Sequence, residues 1–168
     1  MNFSEESLKY MNAAFREAQR AFDKEEVPVG AVIVQNGIVI AKGHNQTEML
    51  KDPTAHAEMI AITSAASHIG DWRLSECDIY VTLEPCIMCT GALLAARMRN
   101  IFYSIPDTKF GACGSLHNLA ENSKTNHRIN VYTGLMENEV KLLMNQFFQN
   151  MREKKSNKEN KDRFANFN

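Results

Sequence analysis

Four side chains have the types and spacing for metal-assisted proton chemistry. His56-Ala57-Glu58 is followed, after 26 intervening residues, by Pro85-Cys86-Ile87-Met88-Cys89. Imidazole and thiolate are ligands that zinc favours. Pro85 is expected to open a helix, and helical positions three apart share a face, so Cys86 and Cys89 can grip one ion together from its first turn. The positive end of the helix dipole favours thiolate over thiol there. His56 stands at the head of a second expected helix, so two helix N-termini converge on the metal. Three protein ligands leave the fourth tetrahedral position open to a water, the arrangement of a catalytic zinc. By residue count alone Cys77, Cys113 or another histidine could supply a fourth ligand and close the site. Two thiolates and a neutral imidazole cancel the charge of Zn2+. A neighbouring carboxylate can then hold a proton without competing strongly for the metal, and Glu58, two residues from His56, is placed for that work.

The elements that must position these residues follow from periodicity. Residues 4–25 read as an amphipathic helix with Leu8, Met11, Ala14, Phe15, Ala18 and Phe22 on one stripe and Ser4 as its cap. Val29–Val34 and Ile38–Ala41 flank Gln35-Asn36-Gly37, a strong hairpin signal. Residues 44–53 are polar and read as a loop, and Thr54–Ser67 as a helix. Asp78–Leu83 reads as a buried strand, and the Pro85 helix runs to about Arg97. Ile101–Tyr103 and Ile129–Tyr132 read as short strands, with a glycine-containing loop from Pro106 to Ser115. Residues 136–152 close the domain as a helix with Val140, Leu143, Met144, Phe147 and Met151 on one stripe. This order predicts an α/β protein: a three-layer α/β/α domain over residues 1–152, a mixed five-stranded sheet with helices on both faces. Sites in such sheets favour the edge where strands end. Residues 153–168 are charged and Asn-rich and are expected to form a disordered tail.

Composition narrows the function classes. The hydrophobic fraction of 44% supports an ordinary packed core, and the net charge of −1 provides no global basic field, so any nucleic-acid contact must come from local clusters. The N-terminus lacks a basic segment followed by an apolar one, and no apolar run approaches the ~18–20 residues of a membrane span. A cytoplasmic protein with reduced thiols is expected, its CxxC pair binding metal or acting in catalysis and Cys77 and Cys113 structural.

Jointly, H-x-E and P-C-x-x-C make the established signature of the zinc nucleobase deaminases. The pattern identifies a superfamily and leaves a free base, a nucleotide or a base within RNA open as substrate. A non-catalytic zinc or RNA-binding module is the reading from another class, against which the open fourth position and Glu58 argue. Further words narrow the choice: Glu26-Val27-Pro28-Val29-Gly30-Ala31-Val32, Asp71-Trp72-Arg73-Leu74, Tyr80-Val81-Thr82-Leu83-Glu84-Pro85, Phe110-Gly111-Ala112-Cys113-Gly114-Ser115-Leu116 and Asn126-His127-Arg128. With them, residues from about 5 to 152 resemble the bacterial tRNA-specific adenosine deaminases of the cytidine-deaminase-like superfamily.

That resemblance implies hydrolysis of the wobble adenosine in a tRNA anticodon stem-loop to inosine, by a homodimer with one Zn2+ per subunit. The alternative is a deaminase of a free base or nucleotide of the guanine or cytosine type. The resemblance also implies a base pocket using Asn45 and an apolar wall at Val29, an RNA-backbone contact at Asp107, and an aromatic pair at Phe147 and Phe148. Both phenylalanines cannot face the core of one helix, so one is expected buried and one free to stack on RNA. Lys109 and Arg152, with Lys154 and Lys155, are candidates for phosphate contacts. Gln46 and Thr47 depart from the family, which often has Arg after the pocket asparagine.

Overall fold

A computed structural model describes residues 3–165. Helix α1 spans Glu5–Asp23, and its N-cap is Ser4, whose Oγ accepts from the Ser7 N–H at 3.1 Å. Its buried stripe includes Met11, Ala14 and Ala18; Leu8, expected on the same stripe, is exposed. Strands β1 (Gly30–Gln35) and β2 (Ile38–His44) form the expected hairpin. Asn36 and Gly37 both take positive φ, 50° and 77°, as a two-residue turn of this hand requires.

The expected loop at 44–53 contains a short helix, α2 (Thr47–Leu50), before α3 (Ala57–Ile69). Strand β3 (Cys77–Leu83) leads to α4 (Ile87–Ala95), then β4 (Asn100–Ile105), β5 (Asn130–Thr133) and α5 (Glu137–Ala165). The sheet order is β2-β1-β3-β4-β5, with β1 antiparallel to β2 and β3 and the β3–β4 and β4–β5 pairs parallel. The sheet is therefore mixed and five-stranded, as expected.

Side-chain alternation on β1 divides the core. Ala31 and Ile33 pack with Ile79, Val81 and Ile101 and with Ala57, Ala61 and Ala65 of α3 and Leu93 of α4. Val32 and Val34 face the other way, onto Tyr10, Met11 and Ala14 of α1 and Tyr80 of β3. Helices thus cover both faces. Gly43 of β2 permits the closest approach of α3, because a Cβ there would lie 2.3 Å from the Ala57 carbonyl oxygen. The α3 N-terminus is thereby seated on β2, next to β1.

The closing helix corrects one expectation. Residues 153–165 continue α5 as helix, where a disordered tail is expected, and residues 166–168 lie outside the described residues. The segment has few helix breakers and many Glu, Lys and Arg residues, which favour helix once one is nucleated. Phe147 of α5 meets Phe22 of α1 edge-on at 6.2 Å between ring centroids, tying this helix to the first. Among the described residues no helix is long and apolar enough to cross a membrane.

Candidate active site

His56 and Cys86 occupy equivalent positions on two helices. Each is an N-cap in extended conformation, His56 for α3 and Cys86 for α4, one residue outside the helix the sequence pattern assigns it to. N-cap side chains commonly bond back to their own helix. Neither of these does; both turn instead towards each other. The imidazole Nδ1 lies 3.7 Å from Cys86 Sγ and 3.5 Å from Cys89 Sγ. Ordinary Zn–N and Zn–S bonds at a tetrahedral angle put nitrogen and sulfur about 3.6 Å apart, so the donor set fits that ion in both type and spacing. Among the described residues no other group of three or more His, Cys, Asp or Glu side chains converges in this way. Cys113 is instead buried against Thr90, whose Oγ lies 3.3 Å from its sulfur.

The site's electrostatics follow from burial and thiol contacts. Cys86 is held far below the ordinary thiol range, chiefly by the hydrogen bond from Cys89 and then by His56. Cys89 is pushed up by that same bond and by its burial. The His56 imidazole is raised, first by its hydrogen bond with Cys86. Without a metal, Cys86 is thus the more acidic thiol of the pair, at the end of the α4 dipole that favours a negative charge, and a bound cation would draw both sulfurs to thiolate.

Glu58 lies in the first turn of α3, buried at 3% exposure. Its Oε2 is enclosed without a hydrogen-bond partner. Burial, the largest influence, pushes its carboxyl up to about 7. A carboxyl so poised exchanges a proton near neutral pH, as a general acid–base group must.

His56, Glu58 and Cys86 line a cavity of about 730 Å³, within the usual range for small-molecule sites. Val29, Asn45, Asp107, Lys109 and Phe148 line it too. Asn45 is buried and its N–H donates to the Val29 carbonyl at 3.1 Å, which couples the two sides of the base pocket expected from the sequence. Asp107 spends Oδ1 on its own loop, accepting from the N–H groups of Lys109 at 2.9 Å and Phe110 at 3.2 Å. The α5 phenylalanines divide as expected: Phe147 is 6% exposed and Phe148 45%. Only Phe148 reaches the cavity, so Phe147 is a core residue here. Arg152 is exposed and outside the cavity lining.

The model of the MafB19-like deaminase family matches residues 5–152. A tRNA-specific adenosine deaminase of Aquifex aeolicus is 46% identical over 143 residues, covering 85% of this chain and 94% of that protein. One of Streptococcus pyogenes serotype M18 is 40% identical over 153 residues, covering 91% of this chain and 96% of that protein. The chain belongs to the tRNA-specific adenosine deaminase family. A structure from studies of A-to-I editing by tRNA:A34 deaminases superposes with a TM-score of 0.72 at 43% identity, covering 75% of this chain and 97% of the other. What this deaminase adds beyond its motif words is visible only in three dimensions. Glu26, 1% exposed, accepts from the Thr47 hydroxyl at 3.1 Å and from the N–H groups of Glu48 at 3.1 Å and Met49 at 2.7 Å. It fixes α2, and with it Thr47, on the cavity wall. Sequence periodicity carries no sign of this bond, although Glu26 opens the word that precedes β1.

Proposed function

We propose that this chain is a zinc-dependent hydrolase that converts the wobble adenosine of a tRNA anticodon stem-loop to inosine and ammonia. The observation that carries the reading is Glu58: a buried carboxyl with one orphaned oxygen, beside a His/Cys/Cys donor set, in a cavity that a nucleobase can enter. His56, Cys86 and Cys89 would hold one Zn2+ per subunit, and that ion would supply a water acidified to near neutrality. Glu58 accepts a proton from the attacking water as oxygen bonds to C6 of adenine. The same carboxyl delivers that proton to N1. It then takes up the remaining hydroxyl proton and passes it to the departing amine, so adenosine and water leave as inosine and ammonia.

Asn45 and Val29 hold the base, one by amide hydrogen bonds and one by apolar contact. Phe148, half exposed at the mouth, offers a stacking face to a neighbouring base, and Lys109 a positive charge to the backbone. Asp107 orders the loop that carries Lys109. Arg152 adds a phosphate contact beyond the cavity. An anticodon base is already single-stranded, so drawing it into the cavity costs less than flipping one from a duplex. The protein works in the cytoplasm as a homodimer.

The test is direct. The purified protein is incubated with an anticodon stem-loop carrying adenosine at the wobble position, and separately with free guanine and cytosine. Inosine in the stem-loop supports the reading; turnover of a free base without inosine contradicts it.

A further inference from the structure

We propose that Glu84 is a positioning residue for this reaction, one that fixes the loop of residues 107–115 as the cavity wall in register with the metal-binding end of α4. The inference rests on the deaminase reading of the site. Glu84 is 2% exposed. Its Oε1 accepts from the N–H groups of Cys113 at 2.9 Å and Ser115 at 3.0 Å. Its Oε2 accepts from the Asp107 N–H at 2.9 Å and from the Ser115 hydroxyl. Each oxygen therefore serves two donors, all four from one loop.

This is work for a carboxylate in particular. An ionised carboxylate accepts only, at about four lone-pair sites, whereas an amide of the same shape turns one oxygen into a donor. Glutamine here would set an NH2 against backbone N–H groups in a buried place, where an unmet donor is costly. The loop is moulded to the group. A Cβ on Gly111 would lie 2.4 Å from the Glu84 carboxyl carbon and 2.5 Å from the Asp107 carbonyl oxygen, so only glycine lets the backbone pass.

The consequence reaches the cavity at both ends. The Glu84 main chain is tied to the sheet by its N–H bond to the Ile105 carbonyl at 2.9 Å, and the next two residues are Pro85 and the ligand Cys86. Ala112 N–H donates to the Pro85 carbonyl at 2.9 Å, and Gly111 pairs with Cys86 as an isolated bridge. From Asp107 the loop continues to Thr108, Lys109 and Phe110, all on the cavity wall. One carboxylate thus sets the distance between the surface that receives the substrate and the residues that hold the metal.

The experiment measures steady-state kinetics on the wobble stem-loop, zinc content and amide hydrogen exchange for the wild type, Glu84→Gln and Ser115→Ala. In Glu84→Gln the KM is expected to rise about tenfold, the equivalent of one or two hydrogen bonds, with kcat changed less than about twofold. Zinc content stays at the wild-type level. Exchange accelerates at Asp107, Cys113 and Ser115 but not at Glu48 and Met49, which Glu26 holds. Ser115→Ala shifts KM the same way by less. A wild-type KM with unaltered exchange in Glu84→Gln overturns the proposal. Should Glu84→Gln fail to fold, Ser115→Ala decides: a raised KM supports the proposal and a wild-type KM overturns it. Absence of inosine with the wild type would instead strike the deaminase reading, while exchange at the three amides still reports on Glu84.

Discussion

Nδ1 of His56 faces Sγ of Cys89 at 3.5 Å, across 33 positions of sequence and from the cap of one helix to the first turn of another. Two helix ends are brought together at the rim of one sheet, and a His/Cys/Cys donor set that could hold a metal ion follows from that meeting. Cys86→Ala removes one of its three donors. We expect the purified variant to lose its zinc by metal analysis while retaining the wild-type circular dichroism. Equimolar zinc in the variant would show that Cys86 is not a ligand.

Glu58→Ala separates proton transfer from metal binding. The carboxyl makes no hydrogen bond through Oε2, so its removal leaves no structural partner unpaired there. Zinc content and melting temperature are expected to stay close to wild type. Turnover should fall by about 10²–10⁴-fold, the usual contribution of a positioned acid–base group. Retained turnover would take Glu58 out of the mechanism.

Phe147 and Phe148 are neighbours with opposite duties, and their alanine variants should fail differently. Phe147 is buried against Phe22, so its truncation costs about 3–5 kcal/mol of stability. Phe148 stands at the cavity mouth, so its truncation leaves thermal stability nearly unchanged and raises KM for the stem-loop by roughly tenfold, as loss of one stacked base would. Thermal melting and kinetics measured on both variants check the division; matched behaviour would contradict it.

Removal of the metal should expose a hierarchy of thiols. Cys77 and Cys113 are buried, and burial pushes the Cys113 thiol up to about 12. Cys86 is half-buried, and in the metal-free site its thiol is the more acidic of its pair. After chelation at neutral pH, alkylation followed by mass spectrometry should mark Cys86 first, and Cys77 and Cys113 only under denaturant. Early labelling of Cys113 would show that its pocket is open.

How much of this was legible in the sequence depends on the range of the interaction. His56, Glu58, Cys86 and Cys89 are readable because few chemistries use those types at that spacing, and the Asn36-Gly37 turn because few residues tolerate its backbone. The split between Phe147 and Phe148 follows from helical geometry, although which one is buried needs the position of Phe22. Glu26 and Glu84 are unreadable in their roles, since a carboxylate that gathers backbone N–H groups of a distant loop leaves no periodic trace. Helix α2 is hidden for the same reason: its four residues are held by Glu26 and not by an amphipathic pattern. Residues 153–165 look like solvated tail by composition, yet they continue α5, because helix propagation from a packed segment needs no further apolar stripe.

The claim at the centre is hydrolysis of a single base in a folded RNA loop. The most direct measurement incubates the zinc-loaded protein with the wobble-adenosine stem-loop in heavy-oxygen water and reads the product nucleoside by mass spectrometry, with Glu58→Ala alongside. The account predicts inosine at the wobble position carrying the solvent's heavy oxygen, and none in the variant. Unconverted adenosine, or inosine without the label, would contradict it.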